Sequence, residues 1–358
     1  MILLEVGSQV KTSNRDLLQS VREVRRFVLY SFDAIKRSTP HVYHSALVWL
    51  PTSSFIRALY QDQLAMQVKV LNGLDTSWDA CIRLIPSGDI HPMTSVVFSH
   101  RGHLIAGCSG TLVRILEAAT GVCLATLAGH EGGVLSVTFS FDDVFLVSGS
   151  EDATVRVWDV QTGGLFAKLE GHTHPVYSVA SSPTQAIAAS GALDLTVRLW
   201  NLSSDGRCYG TLSGHSSFVR SVCWLDTDRF VSGGDDNKVK VWDVKSGQCL
   251  KTFDEHSQPV CFVASSPGGS KIASGSDDST ICIHDARISD AMPTISVDYG
   301  VRSVCFSLDG ETIVYTTDTS VVVWDLAKDL AVFQWQSNCA SAAFSPDGSC
   351  VAAGTMDG

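Results

Sequence analysis

Apolar and polar residues alternate along most of this chain in short runs, and the runs return in the same order. Between Val134 and Leu169 the stretches VLSVTF, VFLVSGS, TVRVW and LFAKL are of strand length and rich in β-branched residues. Phe141-Asp142-Asp143, Glu151-Asp152-Ala153 and Gln161-Thr162-Gly163-Gly164 separate them with turn chemistry. The pattern predicts four antiparallel strands per unit. Gly129-His130 opens this unit and Trp158-Asp159 ends its third strand. Gly171-His172 leads likewise to Trp200-Asn201, Gly214-His215 to Trp242-Asp243 and Glu255-His256 to His284-Asp285, at a spacing of about 42 residues. Such a period signals stacked units that share one core.

The units at either end are less regular. From about Ile90 to Leu127, Leu116-Glu117 stands where Trp-Asp is expected; from about Ser296 to Trp335, Trp324-Asp325 is kept without the histidine. The last stretch, SNCASAAFSPDGSCVAAGTMDG, supplies two strands only. QVKVL and ACIRLI, between residues 66 and 85, read as a third and a fourth strand. One reading completes the last unit with these N-terminal strands, and another leaves its edge open as a piece of a longer protein. An uncovered edge invites aggregation, which favours completion.

Residues 1–65 follow a different period. Leu17, Leu18, Val21, Val24, Phe27, Val28 and Ile35 recur at helical spacing over residues 13–37, with Ser13 or Asn14 as cap and Pro40 as stop. Arg22, Arg25 and Arg26 share the other side, where a solvated face explains them. A shorter helix is expected from the Pro51-Thr52-Ser53-Ser54 cap to about Gln63. His41 and His44 lack a further ligand, so no metal site is expected.

The repeated Gly-His and Trp-Asp pairs, in register over several copies, resemble those of the WD-repeat family. That resemblance implies an all-β, seven-bladed WD-repeat β-propeller over residues 66–358, with a short N-terminal α-helical segment over residues 1–65. Four polar residues recur at fixed offsets: His130, Ser148, Asp152, Trp158; His172, Ser190, Asp194, Trp200; and His215, Ser232, Asp236, Trp242. In the family such residues form a buried chain of hydrogen bonds. Serine, histidine and aspartate are also the members of a hydrolytic triad, but three equivalent sets, and a fourth with His284 for tryptophan, argue against one catalytic centre. No phosphate-binding loop, HExxH or GxSxG is present. The chain is therefore expected to be no enzyme and to use no cofactor.

Charge narrows the choice of partner. The net charge is −11; residues 1–65 carry eight basic and five acidic side chains, the remainder eighteen and thirty-two. An acidic propeller repels phosphate backbones, so nucleic acid is not expected as a partner. No apolar run has the roughly 18 residues of a membrane span. Eleven scattered cysteines without CxxC spacing read as small apolar fillers in a reducing, cytoplasmic setting.

A protein or peptide partner is expected at the rim of the central channel. The residues after the first position of each innermost strand are Thr94, Leu135, Tyr177, Arg220, Cys261, Arg302 and Ala340. Tyrosine and arginine dominate binding hot spots, so Tyr177, Arg220 and Arg302 point to a partner with an acidic or carboxylate group. Neutralisation of nearby carboxylates is the alternative for both arginines.

RRFVLYSFDAIKRSTPHVYHSALVWLP followed by VKVLNGLDTSWDACIRLI resembles the linker of fungal NACHT–WD-repeat proteins of the vegetative-incompatibility type. That resemblance implies the sensor part of such a protein, or a truncated relative. A general scaffold for protein complexes is the second reading and a Ser-His-Asp hydrolase a distant third.

Overall fold

The computed structural model describes residues 2–5, 23–24, 54, 56, 81–84, 91–203, 207–286 and 291–356. Contacts divide the chain into a unit of Ile2–Leu84 and a larger one of Ile85–Gly358, where the sequence suggests a boundary at 65/66. In the smaller unit Ile2–Glu5 pairs antiparallel with Cys81–Leu84, Ile2 standing opposite Leu84. The strand expected within ACIRLI is thus present, and its partner is the opening ILLE, too short a run to announce itself. Glu23, Val24 and Ile56 are helical, and Ser54 Oγ donates to Glu23 Oε2 at 3.1 Å. Val24, placed by periodicity on an apolar face, is exposed. The remainder of both expected helices, the QVKVL strand and His41 and His44 lie outside the described residues.

In the larger unit, six four-stranded antiparallel sheets cover residues 93–127, 134–169, 176–213, 219–253, 260–296 and 301–336. The antiparallel pair Cys339–Phe344 and Cys350–Thr355 follows. Strand order in each four-stranded sheet is chain order, as the turn chemistry between the runs requires. The first strands touch one another in succession, and Cys339–Phe344 touches Met93–Phe98, which closes the ring. No described residue after Leu84 is helical.

The core lies between neighbouring sheets. Phe139, Leu146 and Trp158 of the second sheet, for example, pack against Leu104, Ile115 and Leu127 of the first. The glycine of each SGS or SGG run explains itself here. A Cβ on Gly149 would stand 2.8 Å from Val176 of the next sheet, and one on Gly233 would stand 2.6 Å from Val260. Only a residue without a side chain admits that approach.

A second device joins the sheets. Ser136 Oγ accepts from Val179 N of the following first strand at 3.1 Å; Ser178 accepts from Val222 N at 3.0 Å and Ser221 from Val263 N at 3.1 Å. Ser303 accepts from Ala342 N at 3.4 Å and Ser341 from Val96 N at 3.3 Å, so the seam runs across the closure of the ring.

Candidate partner-binding rim

Two sets of residues lie at the end of the sheets that carries the Gly-His turns. The buried set is the repeated one. In the second sheet His130 Nδ1 lies 2.8 Å from Asp152 Oδ2, His130 Nε2 lies 2.8 Å from Ser148 Oγ, and Trp158 Nε1 donates to the same oxygen at 2.9 Å. The third sheet repeats this with His172, Asp194, Ser190 and Trp200 at 2.7–2.8 Å, and the fourth with His215, Asp236, Ser232 and Trp242 at 2.7–2.9 Å.

An indole nitrogen can only donate, so each serine oxygen accepts from tryptophan and spends its own proton on Nε2. The imidazole then carries its proton on Nδ1 and donates to the aspartate. Asp152 also receives Glu131 N at 3.1 Å and Thr154 N at 2.9 Å, which fastens the Gly-His turn to the turn between the second and third strands. Burial pushes Asp152 up, but hydrogen bonds from Thr154, His130 and two backbone amides outweigh it and hold the carboxyl at about 2. Burial lowers His130 and His172, against the pull of Asp152 and Asp194, and so keeps the rings neutral.

Ser148, Ser190 and Ser232 are 0% exposed, and each hydroxyl is committed to two protein partners. A substrate carbonyl has no approach to them without unpacking a sheet. In the fifth sheet His256 reaches Ser274 at 2.8 Å and Asp278 at 3.1 Å, and His284 takes the tryptophan's place 3.2 Å from Ser274. In the sixth sheet this hydrogen-bond chain has no counterpart among the described residues, and Trp324 Nε1 is buried without a partner. The described residues contain no group of three metal-ligating side chains.

The accessible set is the rim. In every first strand the pairing register slips across the second residue, at Thr94, Leu135, Tyr177, Arg220, Cys261, Arg302 and Ala340. Such a bulge re-aims the side chain that it leaves unpaired. Tyr177 is 37% exposed, and the Arg220 guanidinium lies 6.0 Å from its ring centroid. Arg220 is held by both oxygens of Asp235, and Arg302 Nε donates to Asp318 at 2.8 Å; both carboxylates push the guanidinium pKa up. Thr94 is consumed within the fold, since its hydroxyl donates to Val134 O at 2.7 Å. Leu135 is half-buried. Burial and the charge of Asp277 push the Cys261 thiol up to about 12, which keeps it protonated near neutral pH.

The sequence holds a signal for these carboxylates that the repeat pattern hides. Acidic doublets stand between the second and third strands: Glu151-Asp152, Asp235-Asp236 and Asp277-Asp278. The second acid of each holds the histidine, while the first turns to the rim, as Asp235 does to Arg220 and Glu151 Oε2 to Gly133 N at 3.1 Å. Most cysteines fill strands as expected, but Cys123 and Cys249 sit exposed on outermost strands.

A ring of four-stranded sheets tied by one repeated hydrogen-bond chain defines a repeat propeller. The family profile described as "WD domain, G-beta repeat" matches residues 121–159, 163–201, 206–243, 247–285, 294–325 and 328–358, and the chain belongs to this WD-repeat family. It is 33% identical over 173 residues to small ribosomal subunit protein RACK1y of Oryza sativa subsp. japonica, covering 43% of this chain and 52% of that protein. It is 33% identical over 127 residues to the U5 small nuclear ribonucleoprotein 40 kDa protein of Dictyostelium discoideum, covering 34% and 36%. It is 30% identical over 144 residues to the ribosome biogenesis protein WDR12 homolog of Drosophila yakuba, covering 37% and 33%. The chain thus matches about half or less of each of these relatives.

Proposed function

We propose that this chain is a protein-binding scaffold that engages partners through the rim beside its Gly-His turns, with Tyr177 and Arg220 as the central contact. The observation that carries this reading is the bulge at the second residue of each first strand, which turns one unpaired side chain per sheet out of the ladder. Tyr177, exposed and paired with Arg220, has the aromatic and guanidinium character of a hot spot. The names of the relatives, which place them in a ribosomal subunit, a small nuclear ribonucleoprotein and ribosome biogenesis, favour an assembly role in protein complexes. The sensor reading, suggested by the linker resemblance, draws no support from them.

A partner carboxylate at Arg220 or Arg302 has to displace Asp235 or Asp318. We also infer that Cys339–Phe344 and Cys350–Thr355 are the inner half of a seventh blade, since their first strand takes its turn in the ring. An experimental structure with six first strands in contact would overturn that count.

The test is a quantitative pull-down with the full chain as bait. Tyr177→Ala and Arg220→Ala should each weaken retention of the principal partner about 30-fold, the effect of losing roughly 2 kcal/mol at a hot spot. Leu308→Ala, an exposed change at the opposite end of the sheets, should leave retention intact. Unchanged retention by both rim variants would exclude the rim as the binding surface.

A further inference from the structure

At the end of the sheets away from the Gly-His turns, a cavity of about 90 Å³ opens between the fifth and sixth sheets. Ile283, Ile295 and Leu326 line it, the two isoleucines 3% and 4% exposed. Lys271, Glu311 and Asp329 complete the lining with charge. The Lys271 ammonium is already engaged, donating to Gly310 O at 3.2 Å and meeting Glu311 at 3.4 Å. The Glu311 side chain is 60% exposed, and Asp329, on the turn between the third and fourth strands, is exposed and has no ion pair among the described residues. The opening therefore presents two carboxylates against one occupied cation.

Size and charge together choose the occupant. A dry cavity of about 150 Å³ accepts a benzene ring, and drug-sized ligands want about 300–1,000 Å³. This one suits a single short aliphatic side chain. Free apolar solutes gain nothing from the carboxylates, and a second copy of this chain would bring a net charge of −11 toward an acidic opening. We infer that the groove seats one aliphatic side chain of a basic peptide segment, whose flanking cations meet Glu311 and Asp329. This surface is distinct from the rim, so either can fail without the other.

The full chain, methyl-labelled for NMR, is titrated with the amidated peptide acetyl-Gly-Arg-Leu-Lys-Gly. Shifts are expected at the methyl groups of Ile283, Ile295 and Leu326. They should weaken at least fivefold when glutamates replace the two cations, and vanish when serine replaces the leucine. Ala327→Trp, at an exposed turn position on the edge of the groove, should block binding, and Glu311→Gln with Asp329→Asn, which keep the size of both side chains, should reduce it severalfold. Equal response to the acidic peptide, shifts confined to residues around Tyr177, or no shifts at all would overturn the inference. So would sedimentation showing a dimer that protects these methyl groups.

Discussion

Ser190 and Ser181 lie in one sheet and should respond in opposite ways to the same change. Ser190→Ala strands the Trp200 N–H and His172 Nε2, at about 1–3 kcal/mol for each buried group left unpaired. Ser181 Oγ is buried with no partner, so Ser181→Ala removes an unmet group and should fall within about 0.5 kcal/mol of the parent or above it. Urea midpoints at a common slope would decide the matter, and equal losses would mean that the hydrogen-bond chain is not what fastens the turns. The histidine, serine, aspartate and tryptophan were legible in the sequence because they recur at fixed offsets. Ser136, Ser178 and Ser221 recur too, two places after the opening valine, but a small polar residue on a strand has no periodic signature that separates a seam from an ordinary surface. The first acids of the doublets escaped for a related reason: their neighbours accounted for the pattern.

Within a single sheet, substitutions that look independent are coupled by shape. In the fourth sheet a Cβ on Gly214 would stand 2.8 Å from the tip of Trp242, and in the second and third sheets the same measure is 3.3 and 3.4 Å. The fifth sheet has Glu255 where the glycine would be and His284 where the tryptophan would be, and Phe253 packs 4.2 Å from the His284 ring. The smaller ring makes room for a side chain at 255, together with Cys282 in the place held in the second sheet by Arg156, whose guanidinium would stand 2.5 Å from a Cβ on Gly129. His284→Trp alone is therefore expected to destabilise by about 1–3 kcal/mol through overpacking. Glu255→Gly added to it should recover much of that loss, a coupling of roughly 0.5–3 kcal/mol in a double-mutant cycle. Additive effects in thermal melts would refute the steric link. At this scale the sequence conveyed four strands per repeat from period and turn chemistry. It did not convey that Ile2–Glu5 partners Cys81–Leu84, because that pairing joins segments too far apart for any local pattern.

The whole ring should weaken in acid in two stages. Burial holds His130 and His172 below their unfolded value of about 6.5 and puts His284 at about 4. The unfolded chain takes up those protons first, so stability is complete above about pH 6.5 and is lost as pH falls toward 4. Asp152 is held at about 2, and Asp194, Asp236 and Asp278 are also lowered, so their contribution is present above about pH 3.9 and lost below it. Melting temperatures from pH 8 to 3, in about 0.5 M salt to screen the net charge, should hold steady to near 6.5 and then fall twice; a maximum near pH 5 would contradict the buried neutral histidines. The bond from Val96 to Ser341 spans 245 positions of chain and adds a kinetic consequence. During synthesis the first sheet must wait for the last of the seven first strands before both its faces are sheltered, and contacts so distant in the chain form slowly. Through that interval the nascent chain carries a bare apolar flank, and chaperone dependence should be greatest then rather than after release.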